Sequence, residues 1–195
     1  MTDIHDMIGE LTSGRTNRQP YTRGDETHHH RTYVPALIDQ LATATPSSEG
    51  ANGAGGAASR PAAWLEPLDT LALIDNEAAR WIRILGEDDP ADTKLCVRRL
   101  HGLWASQDDT TKKRIERDVR SWWTQARCVT GWDSPAWRPD NTCPLCGERR
   151  TLRLKLADQI GFCTDCRESW DATTIGLLAD HIRAENGEDG EGDAA

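Results

Sequence analysis

The chain has 195 residues and carries a formal net charge of −9, with 37 % hydrophobic and 28 % charged residues. That composition fits one ordinary domain or two small ones and excludes an all-disordered chain. No run of 18 apolar residues exists to span a bilayer, and the start MTDIHDMIGE lacks the basic and apolar regions of a secretory signal, so a cytoplasmic location is expected.

Residues 1–32 are rich in Thr, Arg, Gly and His and read as a disordered arm. His28, His29 and His30 fall within it. Adjacent side chains diverge, so the triplet reads as a solvated tract and not as a ligand cluster. Val34, Leu37, Ile38 and Leu41 then recur at helical spacing, which predicts a short amphipathic helix over residues 33–43. Residues 44–63 are dominated by Gly, Ala and Ser and form a linker with nothing to build a core.

Order is expected again over residues 64–131, as a three-helix unit. Leu71, Ile74, Ala78, Trp81, Ile82 and Leu85 share one helical face, and Gly86 is a natural stop. A second helix begins at Asp88-Asp89-Pro90 and presents Val97, Leu100 and Trp104. Asp108 or Asp109 caps a third, in which Ile115, Val119, Trp122, Ala126 and Val129 recur at 4-3-4-3 spacing. Lys113, Arg117, Arg120 and Arg127 form a second stripe, two positions round from the apolar one.

The C-terminal part, residues 132–184, carries the strongest chemical signal. Cys143-Pro-Leu-Cys146 and Cys163-Thr-Asp-Cys166 are two Cys-x-x-Cys hooks separated by 16 residues. Four thiolates in this pattern match a closed structural zinc site, a ribbon holding one Zn²⁺. Rubredoxin-like iron would use the same ligands, but the closed Cys₄ set favours zinc. Pro144 restricts the first hook and Gly147 frees the backbone after it. Between the hooks Leu152, Leu154 and Leu156 alternate with Arg149, Thr151, Arg153 and Lys155, predicting a strand with one apolar and one basic face. Asp158-Gln159 makes the turn, Trp170 covers the small core, and Ile175, Leu178 and Ile182 describe a brief helix. Residues 185–195 hold five acids and no base, and read as an acidic disordered tail. Cys96 and Cys128 stand alone among apolar neighbours and read as core residues.

The fold class expected is therefore mainly α with a small zinc-ribbon β unit. The run from Trp122-Trp123 through Arg127, Thr130, Gly131, Trp132 and Pro135-Ala136-Trp137-Arg138-Pro139 to the Cys143/Cys146 hook resembles small uncharacterised proteins of phages that infect actinobacteria. Those proteins place a helical segment ahead of a zinc ribbon. The resemblance spans about residues 64–184 and implies architecture and a phage origin in a host cytoplasm, with no settled activity to carry over.

Charge distribution points to function. Between Lys94 and Lys155 there are 14 Lys and Arg against 7 Asp and Glu, so a basic middle precedes the acidic tail. Lys113, Arg117 and Arg120 on the third helix, with Arg149, Arg153 and Lys155 on the strand, are the expected nucleic-acid contacts, DNA being the favoured partner. The alternative is a non-catalytic adaptor whose ribbon is a rigid peg for a protein partner. An enzyme is disfavoured, because four Cys fill the metal shell and no phosphate-binding glycine loop follows a strand. Neither a membrane nor a small-molecule substrate is expected.

Overall fold

The computed structural model describes residues 3–23, 26–44, 65–130 and 134–191. The expected linker at 45–63, with Trp64, Gly131 and Trp132, lies outside them. The elements run α1 (Ile4–Thr12), β1 (Arg15–Arg23), β2 (Glu26–Val34), α2 (Leu37–Thr43), α3 (Leu65–Ile84), α4 (Thr93–Trp104), α5 (Asp109–Val129), β3 (Leu152–Lys155), β4 (Ile160–Cys163), β5 (Ser169–Trp170) and α6 (Ile175–Glu191). None of the helices among the described residues is long and apolar enough to cross a membrane.

The N-terminal arm is ordered, contrary to the sequence expectation. Asp3 caps α1 by accepting from the His5 N–H at 2.8 Å. Ile4, Met7, Ile8 and Leu11 then follow the i, i+3, i+4, i+7 spacing of one buried face. β1 and β2 pair antiparallel with nine residues each, from Arg15 opposite Val34 to Arg23 opposite Glu26. Val34 therefore belongs to a strand, and the helix expected over 33–43 begins only at Leu37.

α3, α4 and α5 form as their apolar periods require. α3 ends in a Schellman motif: Gly86 adopts φ +79, its N–H reaches the Arg83 carbonyl, and the Glu87 N–H reaches the Ile82 carbonyl, both at 3.1 Å. The second helix starts later than Asp88-Asp89-Pro90 suggests, because Asp92 takes the capping role with the Leu95 N–H at 2.8 Å. Asp108 caps α5 through the N–H groups of Thr110 and Thr111.

α5 is the central element. Ile115, Val119, Trp122 and Ala126 pack into a core that joins α1 to α5 and includes Ile160 and Phe162 of β4. Three tryptophan N–H groups in this core donate to carboxylates: Trp81 to Asp118 at 3.0 Å, Trp122 to Glu77 at 2.5 Å and Trp123 to Glu10 at 2.9 Å. Each bond satisfies a polar edge that burial would otherwise orphan.

β3, β4 and β5 form one antiparallel sheet with helices on both faces. In its register Arg153 lies opposite Phe162 and Lys155 opposite Ile160, on the α5 side. Leu152, Leu154, Cys163 and Trp170 pack on the other side with Leu178 and Ile182 of α6. The four-cysteine unit and the helical body thus share a core, through Ile160 and Phe162. Trp137, ahead of the first hook, is 47 % exposed and takes no part in that core. The tail expected to be disordered is helical as far as Glu191.

Candidate functional site

Two hooks of near-identical geometry build a four-cysteine cluster that could hold a metal ion. In the first, the Cys143 N–H donates to the Glu148 carbonyl and the Gly147 N–H to the Cys143 carbonyl, both at 2.9 Å. The second repeats this: Cys163 N–H to Glu168 carbonyl at 2.9 Å, and Arg167 N–H to Cys163 carbonyl at 3.1 Å. The residue after each second cysteine has a positive φ, +77 at Gly147 and +61 at Arg167. Cys-x-x-Cys-x-Glu is therefore one turn used twice, each time aiming two sulfurs inward.

The four sulfurs all lie within 4.8 Å of one another. Cys143 to Cys166 is 3.9 Å and Cys146 to Cys163 is 3.7 Å. A tetrahedron with metal–sulfur bonds of about 2.3 Å has an edge of about 3.8 Å, so the cluster fits one tetrahedral ion. Without a cation the Cys166 thiol is pushed up to about 12, by desolvation first and by the neighbouring sulfurs next. A bound dication supplies the charge that lets all four ionise. Thr151 Oγ1 lies 3.2 Å from the Cys163 sulfur and orients it.

The loop leading into the first hook is held by α6. Glu185 accepts from the Thr142 N–H at 3.0 Å and from Asn141 Nδ2 at 3.0 Å, and pairs with Arg149 at 3.3 Å. The Thr142 N–H bond, before the other contacts, holds the Glu185 carboxyl below its ordinary range. The first acid of the tail is thus part of the scaffold around the four cysteines.

Cys96 and Cys128 stand apart from the cluster. Burial drives their thiols up to about 11 and about 12 respectively, so both stay protonated core groups.

The expected nucleic-acid contacts separate into three groups. Arg153 and Lys155 are 8 % and 4 % exposed, so they do not form an outward basic face. The physical reason is that α5 and α3 cover this side of β3: Arg153 Nε donates to both oxygens of Glu66 at 3.1 and 3.2 Å, and its Nη2 bonds the same carboxylate. Arg120 is half-buried and Arg149 exposed, and each is engaged by an acid, Asp171 at 3.6 Å and Glu185 at 3.3 Å. Arg127, from the same stripe, pairs with Asp158 at 2.5 Å. Lys113 and Arg117 remain exposed, in the half of α5 that the sheet leaves uncovered.

Around that half, sequence reasoning missed a partner. Arg80 of α3 joins Arg114 and Arg117 in lining an open groove floored by Trp81, Ile84 and Leu85. Asp118 at its edge is occupied by the Trp81 N–H and by Arg117 at 3.0 Å. The position of Arg80 on the face of α3 away from Ile74, Ala78 and Ile82 is the signal in the sequence that could have marked it.

A family model described as a domain of unknown function, DUF7341, matches residues 2–142, and the chain belongs to that family. The match takes in the N-terminal arm and stops one residue short of Cys143. No curated protein and no solved structure matches the chain.

Proposed function

We propose that this protein is a non-catalytic nucleic-acid-binding protein whose four-cysteine unit is a zinc ribbon with one structural Zn²⁺. The observation that carries the reading is the exposed cationic groove: Arg80, Arg114 and Arg117 line it, and Lys113 stands exposed on the same half of α5. Guanidinium groups on a rigid helix pair are suited to phosphates, which they contact bidentately. The ion takes no part in chemistry, since four thiolates leave no position for a water or a substrate. Its role is to hold the sheet against α5, which in turn fixes the helix that presents Lys113 and Arg117. A phage origin, with action in the host cytoplasm, belongs to this reading through the resemblance of residues 122–146.

The test is an anisotropy titration of the metal-loaded protein against labelled single- and double-stranded DNA and RNA, at about 50 and 200 mM salt. Binding that weakens steeply with salt, and is abolished in Lys113→Glu/Arg117→Glu at unchanged metal content, supports the reading. No binding at the lower salt refutes it.

A second reading, a protein-interaction adaptor, is favoured by exposed apolar side chains on the four-cysteine unit. Leu145 at the first hook is 64 % exposed and Leu177 on α6 is 71 % exposed. A partner retained by the wild type and released by Leu145→Asp/Leu177→Asp would support it.

A further inference from the structure

The β1–β2 hairpin is a two-stranded sheet with no third strand on either edge among the described residues. Nine paired residues at about 3.4 Å each make a ribbon about 30 Å long. An isolated hairpin of this kind is marginal in water, and usually one of its faces is apolar and packed. Among its described side chains neither face is. Arg18, His29, Arg31 and Tyr33 are exposed on one side, and Asn17 and His30 on the other.

Its charge is only partly compensated, Arg15 pairing with Glu10 and His28 lying 3.6 Å from Glu26. Residues 15–34 contain four Arg and three His against two acids, Asp25 and Glu26. Arg18 stands directly opposite Arg31 in the register, and no carboxylate among the described residues pairs with either. Like charges directly across a sheet destabilise it. A polyanion between or along them would reverse that cost.

The root of the ribbon, by contrast, is fixed. Arg15 forms an ion pair with Glu10, whose other oxygen accepts from the Trp123 indole of α5. Gly14 lies so close to the Tyr33 phenol that a Cβ there would sit 2.2 Å from its oxygen. Arg98 of α4 donates to the Thr12 carbonyl at 2.7 Å, just before the strand begins. These contacts tie the start of the ribbon to α1 and the helical core.

We propose that this hairpin is a DNA-binding arm that enters the major groove of duplex DNA, with Arg18 and Arg31 on the phosphates or base edges. This rests on the nucleic-acid reading above and names both the target and the contact. Duplex DNA is chosen on dimensions: the B-form major groove, about 12 Å wide, admits a two-stranded ribbon. The A-form major groove of duplex RNA is deep and narrow and excludes it. Cations on both strands suit a groove whose two walls are phosphate.

The experiment uses the full-length metal-loaded protein and labelled duplex DNA of three helical turns, with duplex RNA and single-stranded DNA of the same sequence. Arg18→Ser/Arg31→Ser is compared with Lys113→Ser/Arg117→Ser and the wild type. Both hairpin positions are exposed, so an unchanged melting temperature controls for folding. The expected result is preference of the wild type for duplex DNA. In the hairpin variant, affinity falls at least tenfold and the salt dependence becomes shallower by about 1.8, at about 0.9 for each phosphate no longer neutralised. Wild-type binding to duplex DNA that the hairpin variant retains in full would overturn the arm and leave the nucleic-acid reading standing. Wild-type preference for duplex RNA or single strands would overturn the groove assignment. Absence of any wild-type binding would overturn both.

Discussion

Replacing Glu66 with Gln tests the placement of β3 more sharply than any change at the metal. The carboxylate lies at the start of α3, its side chain 16 % exposed, against an Arg153 side chain 9 % exposed. Three guanidinium contacts reach Glu66, while Arg153 Nη1 donates to the Arg150 and Leu152 carbonyls at 3.0 and 2.9 Å. The variant keeps the shape and one acceptor oxygen but leaves the buried cation without a counter-charge. Removing one partner of a buried pair costs about 3–5 kcal/mol, and the retained acceptor places this case near 3 kcal/mol. For a chain of this length that is a fall of roughly 6–12 °C in melting temperature. The Arg138 contact to Glu66, at 3.4 Å with Arg138 half exposed, adds little. Glu66→Leu/Arg153→Met removes both charges together and is expected to return stability to within about 1 kcal/mol of the wild type, or above it. Urea denaturation of the metal-saturated proteins measures both. A loss below about 1 kcal/mol in Glu66→Gln is the size of a surface pair. It would mean that Arg153 faces solvent and that the basic strand face is outward after all.

Further outcomes follow from the metal centre and the helical core. The native metal-loaded protein is expected to show no thiol reactive toward a disulfide reagent, and a strong chelator to release four, with Cys96 and Cys128 reacting only after denaturation; early reaction at Cys128 would contradict its burial beside β3. Gly147→Ala has open space for its Cβ, so its cost is the positive φ alone, roughly 1–2 kcal/mol in urea denaturation, while Arg167→Gly in the matching turn is expected to stabilise by a similar or smaller amount. His101 Nε2 lies 2.6 Å from His5 Nδ1, and desolvation first, then His5, lowers the His101 pKa from its ordinary 6.5. The unfolded chain then binds the proton more readily, so the stability this group contributes is present above about pH 6.5 and is lost as pH falls through the lowered value. His101→Gln is expected to flatten the decline between pH 7.5 and about 5.5, and an equal decline in both proteins would refute the assignment.

The elements that one buried stripe defines were legible. Ile115, Val119, Trp122 and Ala126 marked α5, Gly86 ended α3, and the Cys spacing gave all four members of the sulfur cluster. The failures have a common physical source, which is that a segment's polarity does not say what lies beside it. β1 and β2 are polar on both faces, so no alternation distinguishes them from a solvated coil. β3 alternates as a strand should, yet its polar face is internal, because Glu66 neutralises Arg153 from 87 residues away. α1 carried a readable signal in Asp3, Ile4, Met7, Ile8 and Leu11, but nine residues are too few to be helical alone. Its stability comes from packing on α5, which local pattern does not reveal.

The bond from Trp123 to Glu10 spans 113 residues, and that separation bears on how the chain is made. α1 leaves a ribosome before α5 does, and the helix that buries Met7 and Leu11 is translated long after it. At about 5–20 residues per second the interval is roughly 6–23 s. Throughout it, the apolar side of α1 has no α5 to cover it, so a nascent chain stalled before Trp123 would present that side to chaperones or to neighbouring chains.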